Sequence, residues 1–282
     1  MFRDARRAAP WVPARQNGEM PAPQPSPLRI TDVSAEALLL AGGARAILLQ
    51  LANPGVGHGV AAHSDFANRP LDRLNGTLTY LYVIVYGTPD EARRVAKMVG
   101  AAHAPVRSEP GDPVPYDARD DQLQLWVAAT LYDTAMCVRE LVFGALSAAD
   151  AESLLADYSV IATALGVPRS VWPENPASFA RYWAGAEAAL RVDDVARRVA
   201  GELLHPSTAP WWMRAAMPAV RLLTAGLLTP ALREAFGLDF NERRYRRLVR
   251  FTRIVYPRLP QWIRHAPSRR YLAAFRRSAG LA

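Results

Sequence analysis

Apolar residues recur along most of this chain at helical spacing, and the alternation typical of β-strands is nearly absent. The clearest example lies between residues 73 and 86, where two stripes run side by side. One stripe consists of Leu74, Leu78, Leu81 and Val85. The other consists of Arg73, Thr77, Tyr80 and Ile84. A helix that is apolar over so much of its circumference is expected to be central and buried.

The next helix has a well-defined beginning and end. Thr88 can cap it, Pro89 suits the first helical position, and Glu91 completes a capping box. Pro105 is expected to end this helix by forcing the preceding residue out of the α-helical region. The apolar side of the helix carries Ala92, Val95, Ala96, Val99 and His103. The pattern therefore predicts that His103 lies at the carboxyl end of an otherwise apolar face.

Periodicity and caps predict further helices at residues 121–143, 147–166, 176–190, 195–204, 211–228, 230–236, 241–256 and 268–279. The glycine-rich run from Gly55 to Gly59 is interpreted as a flexible turn between helices. No internal repeat and no long linker divides the chain. We therefore expect an all-α protein, with a flexible, proline-rich arm at residues 1–30 and a single helical domain at residues 31–282.

The positive charge of the chain is uneven. The net charge of +8 comes almost entirely from arginine, and residues 239–282 hold twelve arginines but only two acids, Asp239 and Glu242. A solvated helix face whose arginine stems cover apolar surface is the simplest interpretation. Peripheral membrane contact through this carboxyl-terminal Arg-rich face is the sharper alternative. No zinc-finger or RNA-binding motif accompanies the arginines, so a nucleic-acid partner is not expected.

Cysteine content and hydropathy bear on the cellular compartment of the protein. Cys137 is the single cysteine, so no intrachain disulfide can form. The first residues lack the apolar core of a signal peptide. No uninterrupted apolar run reaches the roughly 18 to 20 residues of a spanning helix. We expect a cytoplasmic protein, with a peripheral membrane location as the alternative.

The pattern alone leaves the chemistry open. The five histidines show no zinc or di-iron spacing, and no nucleotide-binding or nucleophile motif is present. An imidazole on an apolar face, such as that of His103, must have its nitrogens satisfied by hydrogen bonds or by a metal. A guanidinium in a buried helix, such as that of Arg73, needs an anionic partner. On spacing alone, a core histidine and an internal ion pair explain these two residues more simply than a cofactor does.

Several motifs, taken together, resemble one protein family. The first group is His63-Ser64-Asp65-Phe66, Arg73-Leu74-Asn75-Gly76-Thr77 and Tyr86-Gly87-Thr88. The second group is His103-Ala104-Pro105-Val106-Arg107, Tyr116-Asp117-Ala118 and the run from Leu125 to Leu131. In this order and spacing they resemble the bacterial MpaB-type oxygenases, which are related to the rubber oxygenases called latex clearing proteins. The resemblance extends over about residues 35 to 265.

This resemblance implies a globin-like helical domain, with additional helices, around haem b. It implies that His103 is the proximal ligand of the iron and that Arg107 helps to bind the cofactor. It also implies that Arg73 and Thr77 are catalytic residues on the distal helix, with Arg73 able to pair with a haem propionate. Their i, i+4 spacing places both residues on one side of a helix.

Three positions depart from the family pattern and bear on the reaction. Gly76 stands where the rubber oxygenases have a lysine that can occupy the distal iron position. Ala128 replaces a histidine, and Asn53 precedes Pro54 where a histidine is usual. The resulting hypothesis is a haem b-dependent oxygenase or oxidase that uses molecular oxygen on a small apolar organic substrate. A non-catalytic haem or lipophile carrier and a peripheral membrane-associated interaction protein are the alternatives.

Overall fold

A computed structural model describes residues 26–63 and 70–281, except for the side chains of residues 70–73. These residues form α-helices joined by short 3-10 turns at Ala37–Gly42, Arg169–Val171 and Tyr256–Arg258. The α-helices are α1 (Ile30–Ser34), α2 (Gly43–Leu51), α3 (Pro54–His63), α4 (Pro70–Tyr86), α5 (Pro89–His103), α6 (Asp121–Phe143), α7 (Ala148–Thr163), α8 (Pro176–Ala188), α9 (Asp194–Leu204), α10 (Trp211–Leu227), α11 (Pro230–Ala235), α12 (Glu242–Val255), α13 (Gln261–Arg264) and α14 (Ala266–Ser278). The predicted all-α class is confirmed for the described part of the chain.

The caps that begin α5 form as predicted. The side chain of Thr88 accepts a hydrogen bond from the Glu91 amide, and the Glu91 carboxylate accepts one from the Thr88 amide at 2.8 Å. The prediction of how Pro105 ends α5 is wrong in one respect. The helix does end at His103, but Ala104 keeps α-helical angles of −54° and −42°. Pro105 therefore stops the hydrogen-bond ladder without displacing the residue before it.

Helix α6 is the centre of the fold and divides its apolar core into two clusters. Tyr132 of α6 packs in the first cluster, which includes residues of α4, α7 and α14. Trp126 packs in the second cluster with residues of α2, α9 and α10, and its indole donates a hydrogen bond to the Leu49 carbonyl at 3.1 Å. The sequence pattern predicted a central α4. Among the described side chains of α4, those from Leu78 onward are buried or half-buried, whereas residues 74–77 face solvent.

A buried polar contact lies on the side of α6 that faces α2. The Arg45 guanidinium is buried and lies 2.6 Å from the Asp133 carboxylate. It also donates hydrogen bonds to the Thr134 hydroxyl at 2.7 Å and to the Leu227 carbonyl at 2.9 Å. Since these partners come from α6 and from the end of α10, one arginine of α2 fixes three helices relative to one another.

The glycine-rich run predicted as a flexible turn is helical instead, within α3. Its glycines allow close packing. A Cβ atom on Gly57 would lie 2.5 Å from the Leu51 carbonyl oxygen. One on Gly59 would lie 3.1 Å from the ring of Tyr116. These positions are glycine because backbone and ring approach too closely for a side chain, which local sequence patterns do not reveal.

The predicted amino-terminal arm largely lies outside the described residues, since residues 1–25 are among those not described, so the arm stays a prediction. The chain is already attached to α7 just before residue 30. The Leu28 amide donates a hydrogen bond to Asp150 at 2.8 Å, and Arg29 forms an ion pair with Asp157 at 2.7 Å.

We predict that Asp133→Ala destabilises the fold by about 3 kcal/mol, because it leaves the buried Arg45 charge without its carboxylate. Urea unfolding followed by circular dichroism measures this loss. The matched control is Asp194→Ala, which removes an ion pair with Arg197. The Asp194 side chain is 96% exposed. That variant should lose less than about 1 kcal/mol. Equal losses in the two variants would contradict the structural role of Asp133.

Candidate functional site

Helices α4 and α5 form a hairpin whose open end carries the predicted site residues. Only Gly87 and Thr88 connect the two helices, which pack closely along one another. At a rise of about 1.5 Å per residue, His103 lies about 21 Å along the axis from Pro89, and Arg73 about 20 Å from Tyr86. The carboxyl end of α5 and the amino end of α4 therefore lie at the same end of the hairpin.

His103 is the last residue of α5 and is half-buried. Its neighbours Ala102 and Ala104 are exposed. On the preceding turns, Val95 is buried and Val99 packs against the first core cluster. The imidazole therefore stands where the apolar face of α5 reaches the surface, which matches the position that the periodicity predicted.

The three other predicted site residues lie around this helix end in different environments. Thr77 is exposed on α4. The backbone of Arg73 belongs to the first turn of α4, but its side chain lies outside the described residues. Arg107 is exposed in the segment that follows α5. The hairpin thus brings the backbones of Arg73 and Thr77 to the end where His103 and Arg107 are found, and the predicted roles of these residues stay predictions.

A short two-stranded bridge closes the segment between α5 and α6. Arg107 pairs with Asp117 in an isolated antiparallel bridge. The bridge is held by hydrogen bonds from the Ser108 amide to the Tyr116 carbonyl, at 2.8 Å, and from the Ala118 amide to the Val106 carbonyl, at 2.9 Å. The pKa of Asp117 is lowered, first by the hydrogen bond from the Arg119 amide and also by the charge of Arg107. The bridge therefore fixes the backbone of Arg107 close to the end of α5.

One contact at this end was not predicted from the sequence. The Tyr116 hydroxyl lies 3.3 Å from Nε2 of His63, and the two rings meet edge to face. Since His63 ends α3, this contact joins α3 to the segment after α5. Both residues belong to the motifs that carry the family resemblance, but their pairing across 53 positions has no local signature. His63 is therefore a further imidazole at the same end of the molecule.

The other histidines serve the fold. His58 lies 2.8 Å from the Asp193 carboxylate, and His265 lies 3.2 Å from Glu36. Nδ1 of His205 lies 3.3 Å from the Gly201 carbonyl. Within residues 26–63 and 70–281, no three His, Cys, Asp or Glu side chains are grouped as ligands for a bare metal ion.

Two large aromatic residues, Trp126 and Tyr80, belong to the apolar core. Trp126 is buried in the second cluster. Tyr80 is buried in the first cluster, and its hydroxyl donates a hydrogen bond to the Ile161 carbonyl at 2.6 Å. Phe66, of the motif that begins at His63, lies outside the described residues.

The chemistry of these groups fits a haem. A porphyrin supplies four ligands to its iron, so the protein needs to provide a single imidazole and cations for the propionates. The ring of His103 is half-buried at the end of α5, and its Nδ1 atom lies inside the protein. Arg107, exposed four residues later, is a cation that a propionate at the surface can reach.

The far end of α5 is fastened to the carboxyl-terminal part of the chain. The buried Glu91 carboxylate accepts hydrogen bonds from Arg276 of α14 at 2.7 and 3.1 Å. Arg94 donates a hydrogen bond to the Ala279 carbonyl at 3.1 Å. These contacts, together with a hydrogen bond from Tyr271 to Asn75 of α4 at 2.6 Å, set the orientation of the hairpin.

The described residues form an all-α protein in which the backbones of the predicted site residues lie at the open end of one helical hairpin. Residues 31–255 match the family described as "ER-bound oxygenase mpaB/B'/Rubber oxygenase, catalytic domain". The chain belongs to this family, as the motifs predicted, and is therefore an oxygenase-type enzyme, an oxidoreductase.

The chain is also similar to two mycobacterial proteins. They are the uncharacterized proteins Mb2261 of Mycobacterium bovis and Rv2237 of Mycobacterium tuberculosis. The identity is 35% over 206 residues in each case, which covers 71% of this chain and 81% of the relative. No solved structure matches the chain significantly.

We predict that Glu91→Gln lowers the melting temperature in a pH-dependent way. The hydrogen bonds from Arg276 and from the Thr88 amide lower the pKa of Glu91 from 4.5 to about 2. A depressed pKa means that the ionised carboxylate stabilises the fold above pH 4.5, and that this contribution is lost as the pH falls towards 2. The difference in melting temperature between wild type and variant should therefore be largest near pH 7 and shrink between pH 5 and pH 2.

The control for this experiment is Glu152→Gln, which removes an exposed carboxylate on α7. It accounts for the loss of one negative charge from a basic protein. A Glu91→Gln difference that stays constant down to pH 2 would contradict the assignment.

Proposed function

We propose that this protein is a haem b-dependent oxygenase that acts with molecular oxygen on an apolar organic substrate, and that His103 is the protein ligand of the iron. Membership of the oxygenase family carries this proposal. The placement of His103, at the same hairpin end as the first turns of α4, supports the choice of residue.

Each candidate site residue has a distinct role in this proposal. The imidazole of His103 would hold the cofactor through one ring nitrogen, while Arg107 would bind a propionate at the surface. The cofactor supplies the oxygen chemistry when it is bound. The guanidinium of Arg73 would stabilise negative charge that develops on dioxygen, or would pair with the second propionate.

Thr77 and Gly76 would shape the opposite side of the site. The Thr77 hydroxyl would donate a hydrogen bond to dioxygen or to a water molecule. Gly76 has no side chain to compete for that space, and a Cβ atom added there would meet nothing within 4 Å. The resemblance implies that the rubber oxygenases have a lysine at the position of Gly76. The proposed site is therefore open at this position. A cytoplasmic location stays a prediction.

We predict that the purified protein, reconstituted with haem b, has a Soret band that His103→Gly abolishes or shifts. Exogenous imidazole should restore the wild-type spectrum of this variant, because it can enter the space left by the side chain and replace the lost ligand. The spectrum is measured by absorption titration with haem. The matched controls are His205→Ala and His63→Ala, which should keep the wild-type band.

Two outcomes of this titration would overturn the assignment. An unchanged band in His103→Gly would move the ligand to another residue, and loss of the band in His63→Ala alone would make that residue the ligand. The absence of any band after reconstitution of wild type would remove the haem from the proposal.

We predict that Thr77→Val binds haem as tightly as wild type but consumes oxygen about 100-fold more slowly, since valine keeps the shape of threonine and lacks its hydroxyl. Oxygen uptake with a reductant and an unsaturated apolar substrate gives the rate. The control is Thr208→Val, a threonine in the segment between α9 and α10. Haem binding without oxygen uptake in wild type would instead favour the non-catalytic carrier.

A further inference from the structure

The end of α12 and the segment that follows it expose several large apolar side chains. Phe251 is 64% exposed, Ile254 50% and Trp262 67%. Val255 and Ile263 are also exposed. We call the exposed side chains of α12, of the Tyr256–Arg258 turn and of α13 the carboxyl-terminal surface. Single exposed apolar residues are ordinary on proteins, but five within thirteen positions mark a surface for association.

The carboxyl-terminal surface is also strongly basic. Tyr245, Leu248 and Thr252 of α12 are half-buried and face the protein. The opposite side of α12 carries Arg243, Arg247, Arg250 and Ile254 at helical spacing, and all four are exposed. Twelve arginines follow Glu242, and no aspartate or glutamate does. Cationic and apolar side chains therefore share one solvent-facing side.

Contacts with the body of the protein hold this surface in place. The buried Glu36 carboxylate accepts hydrogen bonds from the Tyr256 hydroxyl at 2.7 Å and from Arg264 at 2.9 Å. Arg253 donates a hydrogen bond to the Leu141 carbonyl at 2.7 Å. The apolar side chains on either side of Tyr256 are thus presented by a packed structure.

We propose that the carboxyl-terminal surface docks on an anionic lipid bilayer, with Phe251, Ile254 and Trp262 entering the interface and the arginines binding lipid phosphates. Tryptophan prefers the membrane–water interface, and an amphipathic basic helix binds it through both apolar burial and charge. A nucleic acid would use the arginines but would offer no apolar phase for Ile254 or Ile263. An anionic bilayer matches both halves of the surface, since its headgroups bind the arginines and its acyl chains receive the apolar side chains.

This docking is peripheral and does not depend on the haem proposal. None of the described helices is long and apolar enough to span a membrane alone. Ala37–Leu51 and Pro54–His63 would suffice together by length and composition, but they are bent by 108° and α2 is largely buried in the protein. The family match ends at residue 255, before Trp262. The surface would bring the enzyme to the phase in which apolar substrates dissolve.

Sedimentation with vesicles tests the proposal on the full chain. Wild type should bind phosphatidylcholine vesicles that contain phosphatidylglycerol, bind pure phosphatidylcholine weakly, and dissociate as sodium chloride is raised. Phe251→Ser/Trp262→Ser should weaken binding to the anionic vesicles at least tenfold. Arg247→Ser/Arg250→Ser should weaken it to a similar extent and reduce the dependence on salt, since each arginine near the surface contributes about a fivefold gain.

The matched control is Trp212→Ser, which removes a tryptophan of α10 that is 55% exposed. It should bind the vesicles like wild type, and melting curves should show all variants folded. Equal binding to neutral and anionic vesicles, or equal losses in the control and in Phe251→Ser/Trp262→Ser, would overturn the proposal. A third outcome would also overturn it. In that outcome, wild type binds duplex RNA, Arg247→Ser/Arg250→Ser abolishes this binding, and Phe251→Ser/Trp262→Ser still binds both RNA and vesicles.

Discussion

The ion pair between Arg45 and Asp133 is the contact on which the packing of this protein depends. A guanidinium in an apolar interior is tolerated only where its donors are matched by acceptors. Here the acceptors are Asp133 and Thr134 of α6 and the Leu227 carbonyl at the end of α10, so satisfying one cation aligns α2 with both helices. Because α6 carries both apolar clusters, this alignment also fixes where the surrounding helices pack.

The α4–α5 hairpin extends outward from this centre, and its two ends differ in physical character. At the connected end, Glu91 forms an ion pair with Arg276 of the last helix. At the open end, Thr77 and the alanines on either side of His103 are exposed. A large flat group or an apolar substrate would enter the proposed site from this exposed side.

The candidate site and the carboxyl-terminal surface are built from different parts of the chain. The site belongs to the region shared with the oxygenase family, whereas Trp262 and Ile263 lie beyond the family match. The segment that carries the surface is nevertheless anchored to the body through Glu36, and the helix after it contacts α4 and α5. The proposed activity on apolar compounds and the proposed docking on lipid would complement each other, since apolar compounds partition into membranes.

The sequence by itself determined the helices and much of the candidate site, while the tertiary structure decided the contacts between distant segments. The bounds of α6 and the capping box of α5 were predictable because caps and periodicity act within one or two turns. The helix stripe placed His103 at the end of α5, whereas its proposed role as an iron ligand rests on resemblance alone and stays a prediction. The helical conformation of α3 was missed, since Gly57 and Gly59 serve packing against Leu51 and Tyr116. Such close approaches, like the pairing of His63 with Tyr116, involve residues whose proximity only the folded chain establishes.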